Sequence, residues 1–207
     1  MSMARADLAD DLVRSLGSSA EHFDREPGGA GFDRLLDAAA LDMGRVQPRV
    51  MTDALSLVAG QAAYPAPAEM VRPQHPVWPP LPAQPWARRY RGPMPLLRRV
   101  VRIAEVQVAV SPVPTEALVA DVAGSLGYYY EARHSIGELA EGTTIDPGWR
   151  DLLLLRAQAE ACRELALSNV LKPIQLHRGM GAQPTRAQPS VLYELLMAEF
   201  KARGMDR

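Results

Sequence analysis

The stretch "ALVADVAGSLGYYYEARHSI", residues 117–136, can be read in two ways, and the choice decides how much of the chain is sheet. Leu118, Val122, Leu126, Tyr129, Arg133 and Ile136 recur at helical spacing. Gly124 and Gly127 weaken a helix, and the run Tyr128-Tyr129-Tyr130 suits a pleated surface. The residues favour strands, with a helix as the alternative. Upstream, Val50–Val58 carries strand alternation, with Leu55 and Leu57 on one face, and turns at Gly60-Gln61 before Tyr64. Val100–Val110 makes a second strand region, with Val100, Ala104, Val106, Val108 and Val110 sharing a face until "SPVP", 111–114, ends it.

Helices flank these strands. Leu8, Leu12, Val13 and Leu16 mark an amphipathic helix over 4–16, stopped by Gly17. Phe32, Leu35, Leu36, Ala39 and Met43 mark a second. The clearest helix is "GWRDLLLLRAQAEACRELALSNVL", with Asp146 as cap and Pro147 in the first turn, where proline is tolerated. Leu152, Leu155, Ala159, Cys162 and Leu165 fall near one face; Arg156, Glu160, Arg163 and Glu164 fall on others, as surface ion pairs do. A polar linker, 177–189, precedes a last amphipathic helix over 190–203 with Leu192, Leu195, Leu196 and Phe200 in one stripe and Tyr193 alongside. Between Pro65 and Pro95 prolines recur too often for a helix or a central strand. That segment reads as an ordered arm or long loop, with Trp78 and Trp86 as anchors against another subunit or a tail protein.

The expected fold class is α+β and mainly helical: a helical bundle core with a small antiparallel β region, a proline-rich arm and a C-terminal extension. The expected organisation is one domain, 1–207. Within it, 1–64 holds the N-terminal helices and first strand, and 65–95 the arm. Strands and the long core helix occupy 96–176, and 177–207 is the linker with the C-terminal segment.

Composition narrows the function classes. The chain has 207 residues, 47% hydrophobic and 23% charged, with a formal net charge of -1. That balance supplies no overall pull toward nucleic acid or anionic membrane. One cysteine, Cys162, excludes an internal disulfide and fits a cytosolic origin. The first residues lack the apolar core of a signal peptide, and no uncharged apolar run is long enough to span a bilayer, so a soluble intracellular product without membrane contact is expected.

Catalytic chemistry needs a constellation, and none is legible. His22, His75, His134 and His177 lie in four separate segments without partners at ligand spacing. Cys162 sits mid-helix as a small hydrophobe. "GSLG", 124–127, lacks the flanking residues of a phosphate loop or nucleophile elbow. The expectation is therefore no enzyme, no catalytic residue, no metal and no cofactor. One alternative rests on Arg88, Arg89, Arg91, Arg98 and Arg99: mixed with Trp86 and Tyr90, this 88–102 segment has the make-up of a nucleic-acid patch.

Several stretches together resemble the phage head–tail adaptor (connector or neck) family. These are the two N-terminal helices before "LSLVAGQAAYPAPAEMVR" (55–72), then "VQVAVSPVPTE" (106–116), then "YYYEARHSI" (128–136) feeding "IDPGWRDLLLLRAQAEACRELAL" (145–167). The resemblance spans most of 31–171 and departs from the family in the long proline-rich insert, 65–95. It implies a structural virion protein of the neck, made in the host cytoplasm. Such a protein forms a homo-oligomeric, twelve-fold ring between portal protein and a tail or nozzle protein. Duplex DNA passes through its lumen without tight binding. It also implies that the C-terminal segment docks on the portal through Leu192, Tyr193, Leu195, Leu196 and Phe200; the alternative is that this helix folds back on its own core.

Overall fold

Alternation of period two and period 3.6 divides this chain into strands and helices. A computed structural model describes residues 2–23, 30–77, 94–103, 105–168, 172–177 and 185–205. In chain order the first elements are α1 (Arg5–Leu16), α2 (Ala30–Met43), β1 (Arg49–Ser56), β2 (Ala63–Pro65), β3 (Met70–Pro76), β4 (Leu96–Arg102) and β5 (Glu105–Ser111). Then come α3 (Glu116–Asp121), β6 (Ser125–Ala132), α4 (Arg150–Leu167), β7 (Ile174–Leu176), β8 (Thr185–Ala187) and α5 (Pro189–Met205). The chain divides into two compact units, 1–48 with 134–207, and 49–133.

The expectation of a mainly helical chain with a small β region is corrected. Among the described residues 46% are helical and 27% are strand, with three antiparallel sheets in the orders β1-β6-β3, β2-β5-β4 and β7-β8, so the fold is mixed and not a helical bundle core. The first two sheets have a core of their own: Leu55, Leu57, Tyr64, Met70, Leu97, Val108, Val110, Leu126, Tyr128, Tyr130 and Ala132. The β region therefore buries eleven side chains in a core of its own.

The opening stretch proves to be both of its readings. Thr115 Oγ1 accepts from the Leu118 amide at 3.2 Å and starts the short helix α3. Ala123 and Gly124, at φ +51° and +75°, then turn the chain out of the helix. From Ser125 burial alternates strictly, with Leu126, Tyr128, Tyr130 and Ala132 inward, so β6 becomes the central strand of its sheet.

The segment 65–95 is likewise corrected. Residues 70–76 form β3, paired antiparallel with β6, and the register shifts between Pro73 and Pro76. A strand at the edge of its sheet tolerates missing donors, which is why two prolines fit there. Residues 78–93, with Trp78 and Trp86, lie outside the described residues, so the anchor role given to these tryptophans has no structural description.

The strand after 49 ends as its sequence suggests, and the Tyr64 hydroxyl explains how. It accepts from the Val58 amide at 3.2 Å and lies 2.8 Å from the Gln61 carbonyl and 3.1 Å from that of Val58, to which it can donate. The turn carries Gly60 at φ +80°. Tyr64→Phe leaves that amide and those carbonyls without their partner and is expected to cost the β unit about 1–3 kcal/mol. Urea unfolding followed at β-unit amides checks this; an unchanged midpoint would show that the hydroxyl is dispensable.

In the helical unit α1, α2, α4 and α5 share one core. Leu8, Leu12 and Leu16 of α1 are fully buried, as are Leu35, Leu36 and Met43 of α2. Helix α4 has Leu152, Leu153, Leu155, Ala157, Ala159, Ala161, Cys162 and Leu165 buried, spread around its circumference, which fits a central position. Asp146 Oδ1 accepts from the Gly148 amide at 2.7 Å and opens the turn that leads into it. The loop before α4 is pinned to the N-terminus. Thr143 Oγ1 donates to the Met3 carbonyl at 2.7 Å, and Arg5 Nη2 donates to the Ile136 carbonyl at 2.7 Å. Gly137 permits a close crossing there, since a Cβ on it would meet Gly142 backbone at 2.6 Å.

Two side chains expected on the surface of α4 are instead inside. Arg156 and Glu160 side chains are 8% and 5% exposed. Arg156 Nε donates to Asp42 Oδ2 at 2.7 Å and Nη2 to Glu160 Oε2 at 3.0 Å, while Arg163 Nη2 reaches Glu160 Oε1 at 2.5 Å. Four helix faces need covering and α4 is central, so even its charged positions meet neighbours, here α2 through Asp42.

The linker is corrected too: Thr185–Ala187 pairs with Ile174–Leu176 as a small ladder, with Ile174 opposite Ala187.

Candidate interaction surface

The expected portal-docking residues lie mostly inside. Leu192, Leu196 and Phe200 are buried in the helical unit's own core, and Tyr193 is half-buried against it. Leu195 remains exposed. The apolar stripe of α5 is satisfied by packing on the chain's own helices, α4 above all, so it is not a free docking face. The large apolar side chains that α5 leaves exposed are Val191 and Leu195.

The buried titratable groups are accounted for structurally. Burial pushes the Cys162 thiol up to about 12, so it is protonated at neutral pH. Ellman's reagent is accordingly expected to react with it only as the helical unit unfolds; prompt reaction of the native chain would contradict this burial. His134 Nε2 lies 2.6 Å from the Gln47 carbonyl and must donate to it, and Nδ1 lies 3.1 Å from Thr144 Oγ1. Burial first, and then Asp53, raises the Tyr128 hydroxyl, which donates to Asp53 Oδ2 at 3.2 Å. Hydrogen bonding from Arg72, at 2.8 and 2.7 Å, holds the Glu131 carboxyl below its ordinary range. Among the described residues no group of His, Cys, Asp and Glu is placed to hold a metal ion, and no helix is long and apolar enough to cross a membrane.

The surface feature that stands out is the β4–β5 hairpin. Its register runs from Leu96↔Ser111 to Arg102↔Glu105, with Ile103 at the tip. Leu97, Val108 and Val110 are buried at the base. Toward the tip burial fades: Val100 and Val101 are exposed, and Ile103 is 92% exposed. Ile103 also stands at φ +49°, a left-handed conformation that a β-branched residue adopts only at a cost of order 1 kcal/mol or more. Such tight turns ordinarily use Asn-Gly or Asp-Gly. Without that signal the sequence reads as one strand over 100–110, and the hairpin tip is invisible.

Of the arginines in the 88–102 segment, Arg98 is exposed and Arg99 Nε donates to the Met70 carbonyl at 3.2 Å. Arg102 is exposed, while Arg88, Arg89 and Arg91 lie outside the described residues. No protein-family model and no curated protein matches this chain.

On the helical unit the counterpart feature is acidic. Arg5 is ringed by Asp33 at 3.5 Å, Asp37 at 2.9 Å and Glu138 at 3.4 Å, with those carboxylate side chains 45, 56 and 88% exposed. One guanidinium among three carboxylates leaves surplus negative charge. Leu139, next to Glu138, is 71% exposed, and Glu141 follows it on the surface.

Proposed function

We propose that this chain is a structural protein of a phage neck, a head-to-tail adaptor whose copies form a ring between portal and tail and give DNA a passage. The observation that carries the reading is the hairpin tip, where Val100, Val101 and Ile103 stand exposed beside arginines. Apolar surface held out on a strand ladder fits a protein that works by contact with other proteins. The resemblance of 55–72, 106–116 and 128–167 to the adaptor family supplies the context. It implies portal and tail or nozzle proteins as partners, a twelve-fold ring, and a place in the virion neck.

In this reading the helical unit and the β unit divide the work of contact. The exposed Val191 and Leu195 of α5, and not its buried stripe, are what remains for a portal. Particles assembled without this chain test the proposal. They are expected to be heads that carry portal and packaged DNA yet have no attached tail, with tails restored when the chain is supplied. Normal tailed particles in its absence would overturn the reading.

A further inference from the structure

We propose that the β4–β5 hairpin tip docks on the acidic surface around Arg5 of a second copy of this chain, joining copies head to tail. The inference deepens the ring reading above and rests on it for the biological meaning of the contact.

Three observations carry it. The first is a charge asymmetry hidden by the net charge of -1. Residues 49–133 hold nine arginines against six acidic residues, while the rest of the chain holds eighteen acidic residues against fourteen basic ones. A chain with a basic unit and an acidic unit can attract its own copies, the basic unit of one meeting the acidic unit of another.

The second is local complementarity. The tip alternates apolar and basic residues, with Arg98, Val100, Val101, Arg102 and Ile103 exposed, and neither Arg98 nor Arg102 has a carboxylate partner among the described residues. The receiving surface alternates apolar and acidic residues, with Leu139 between Glu138 and Glu141 and the surplus carboxylates of Asp33 and Asp37 nearby on Arg5. Basic-apolar meets acidic-apolar, and each patch supplies what the other lacks.

The third is the tip residue itself. Isoleucine is a poor choice for φ +49° and for open water, where asparagine or glycine would serve the turn better. A residue unfavourable for the hairpin in isolation is accounted for when a second copy covers it. The two patches differ, so the contact is heterologous, the kind that builds a ring when the rotation between copies closes.

Sedimentation velocity of the full chain over a range of concentration and salt tests this. The wild-type chain is expected to self-associate, and raised salt should weaken association, because the charges involved are exposed. Ile103→Asn should fold at least as stably as the parent, since it relieves the turn, yet associate about tenfold or more weakly. Arg98→Glu with Arg102→Glu in one variant, and Glu138→Arg with Glu141→Arg in another, should each lose association by a similar factor. Mixing these two reversed variants should restore it, because an acidic tip then meets a basic surface. A wild-type chain that stays monomeric at low salt would overturn the inference. So would Ile103→Asn and both reversals associating as wild type, or a mixture that fails to recover.

The adaptor reading fails separately. A chain that self-associates through this hairpin but does not bind portal rings sinks that reading and leaves the contact standing. Portal binding that survives without any self-association does the reverse. Duplex DNA captured by Arg98 and Arg102, with no chain–chain contact at the tip, would also overturn the inference.

Discussion

Glu160→Ala is expected to destabilise the helical unit by about 3–5 kcal/mol, among the largest losses any single change in this chain should produce. Glu160 lies inside the unit and takes two guanidinium groups, Arg156 Nη2 at 3.0 Å and Arg163 Nη2 at 2.5 Å. Arg163 is half-exposed and returns to solvent when the carboxylate is lost. Arg156 cannot. It stays buried, with Asp42 as its remaining anionic partner and with Nη1 already lacking a protein partner. A charge kept from water with too few acceptors is what makes the change costly. Replacing the pair together, Arg156→Met with Glu160→Leu, should cost far less than either single change, because no buried charge is left behind. Asp42 then keeps Arg45 at 3.5 Å and some exposure to water. Urea unfolding of the singles and the double provides the check. A double variant as unstable as the sum of its singles would show that the pair's surroundings, and not an orphaned charge, set the cost.

The second large effect is expected in the β unit. Tyr128 is fully buried on the central strand β6, with its ring 5.8 Å from that of Tyr130. Its hydroxyl reaches Asp53 of β1, the strand opposite in register. Tyr128→Ala removes a fully buried aromatic side chain from that core and leaves a cavity in it, a loss of about 3–5 kcal/mol. Because the β unit and the helical unit each have a core of their own, the damage should be local. Hydrogen exchange is expected to lose protection across β1, β3 and β6 while α4 amides stay protected. Equal loss of protection in α4 would mean that the chain unfolds as one body.

Much of the helical part is legible in the sequence because the signals are local. Leu8, Leu12 and Leu16 are one turn apart, and Gly17 follows at φ +55°. Asp146 before Pro147 marks the approach to α4. What escapes sequence reasoning is set by distant neighbours. Arg156 and Glu160, four apart with opposite charge, have the pattern of a surface pair; only the placement of Asp42 on α2 shows that they are inside. Prolines 73 and 76 argue against a strand, yet β3 forms because it lies at a sheet edge with an irregular register. Three-residue strands such as β7 and β8 are too short to have a period at all.

The candidate surface is harder still to read. The apolar stripe of α5 has the make-up of a partner-binding helix, but burial of Leu192, Leu196 and Phe200 is a tertiary fact. The hairpin tip carries no glycine or asparagine at Ile103, so the turn leaves no local trace. The acidic surface draws Asp33, Asp37 and Glu138 from segments a hundred residues apart and converges only through Arg5.

The most direct measurement of the adaptor account is negative-stain imaging of purified portal rings with and without this chain. The account predicts an added layer on one face of the portal, with the portal's axis running through an open centre. Portal rings unchanged by excess chain, at low salt and at concentrations where the chain self-associates, would contradict it.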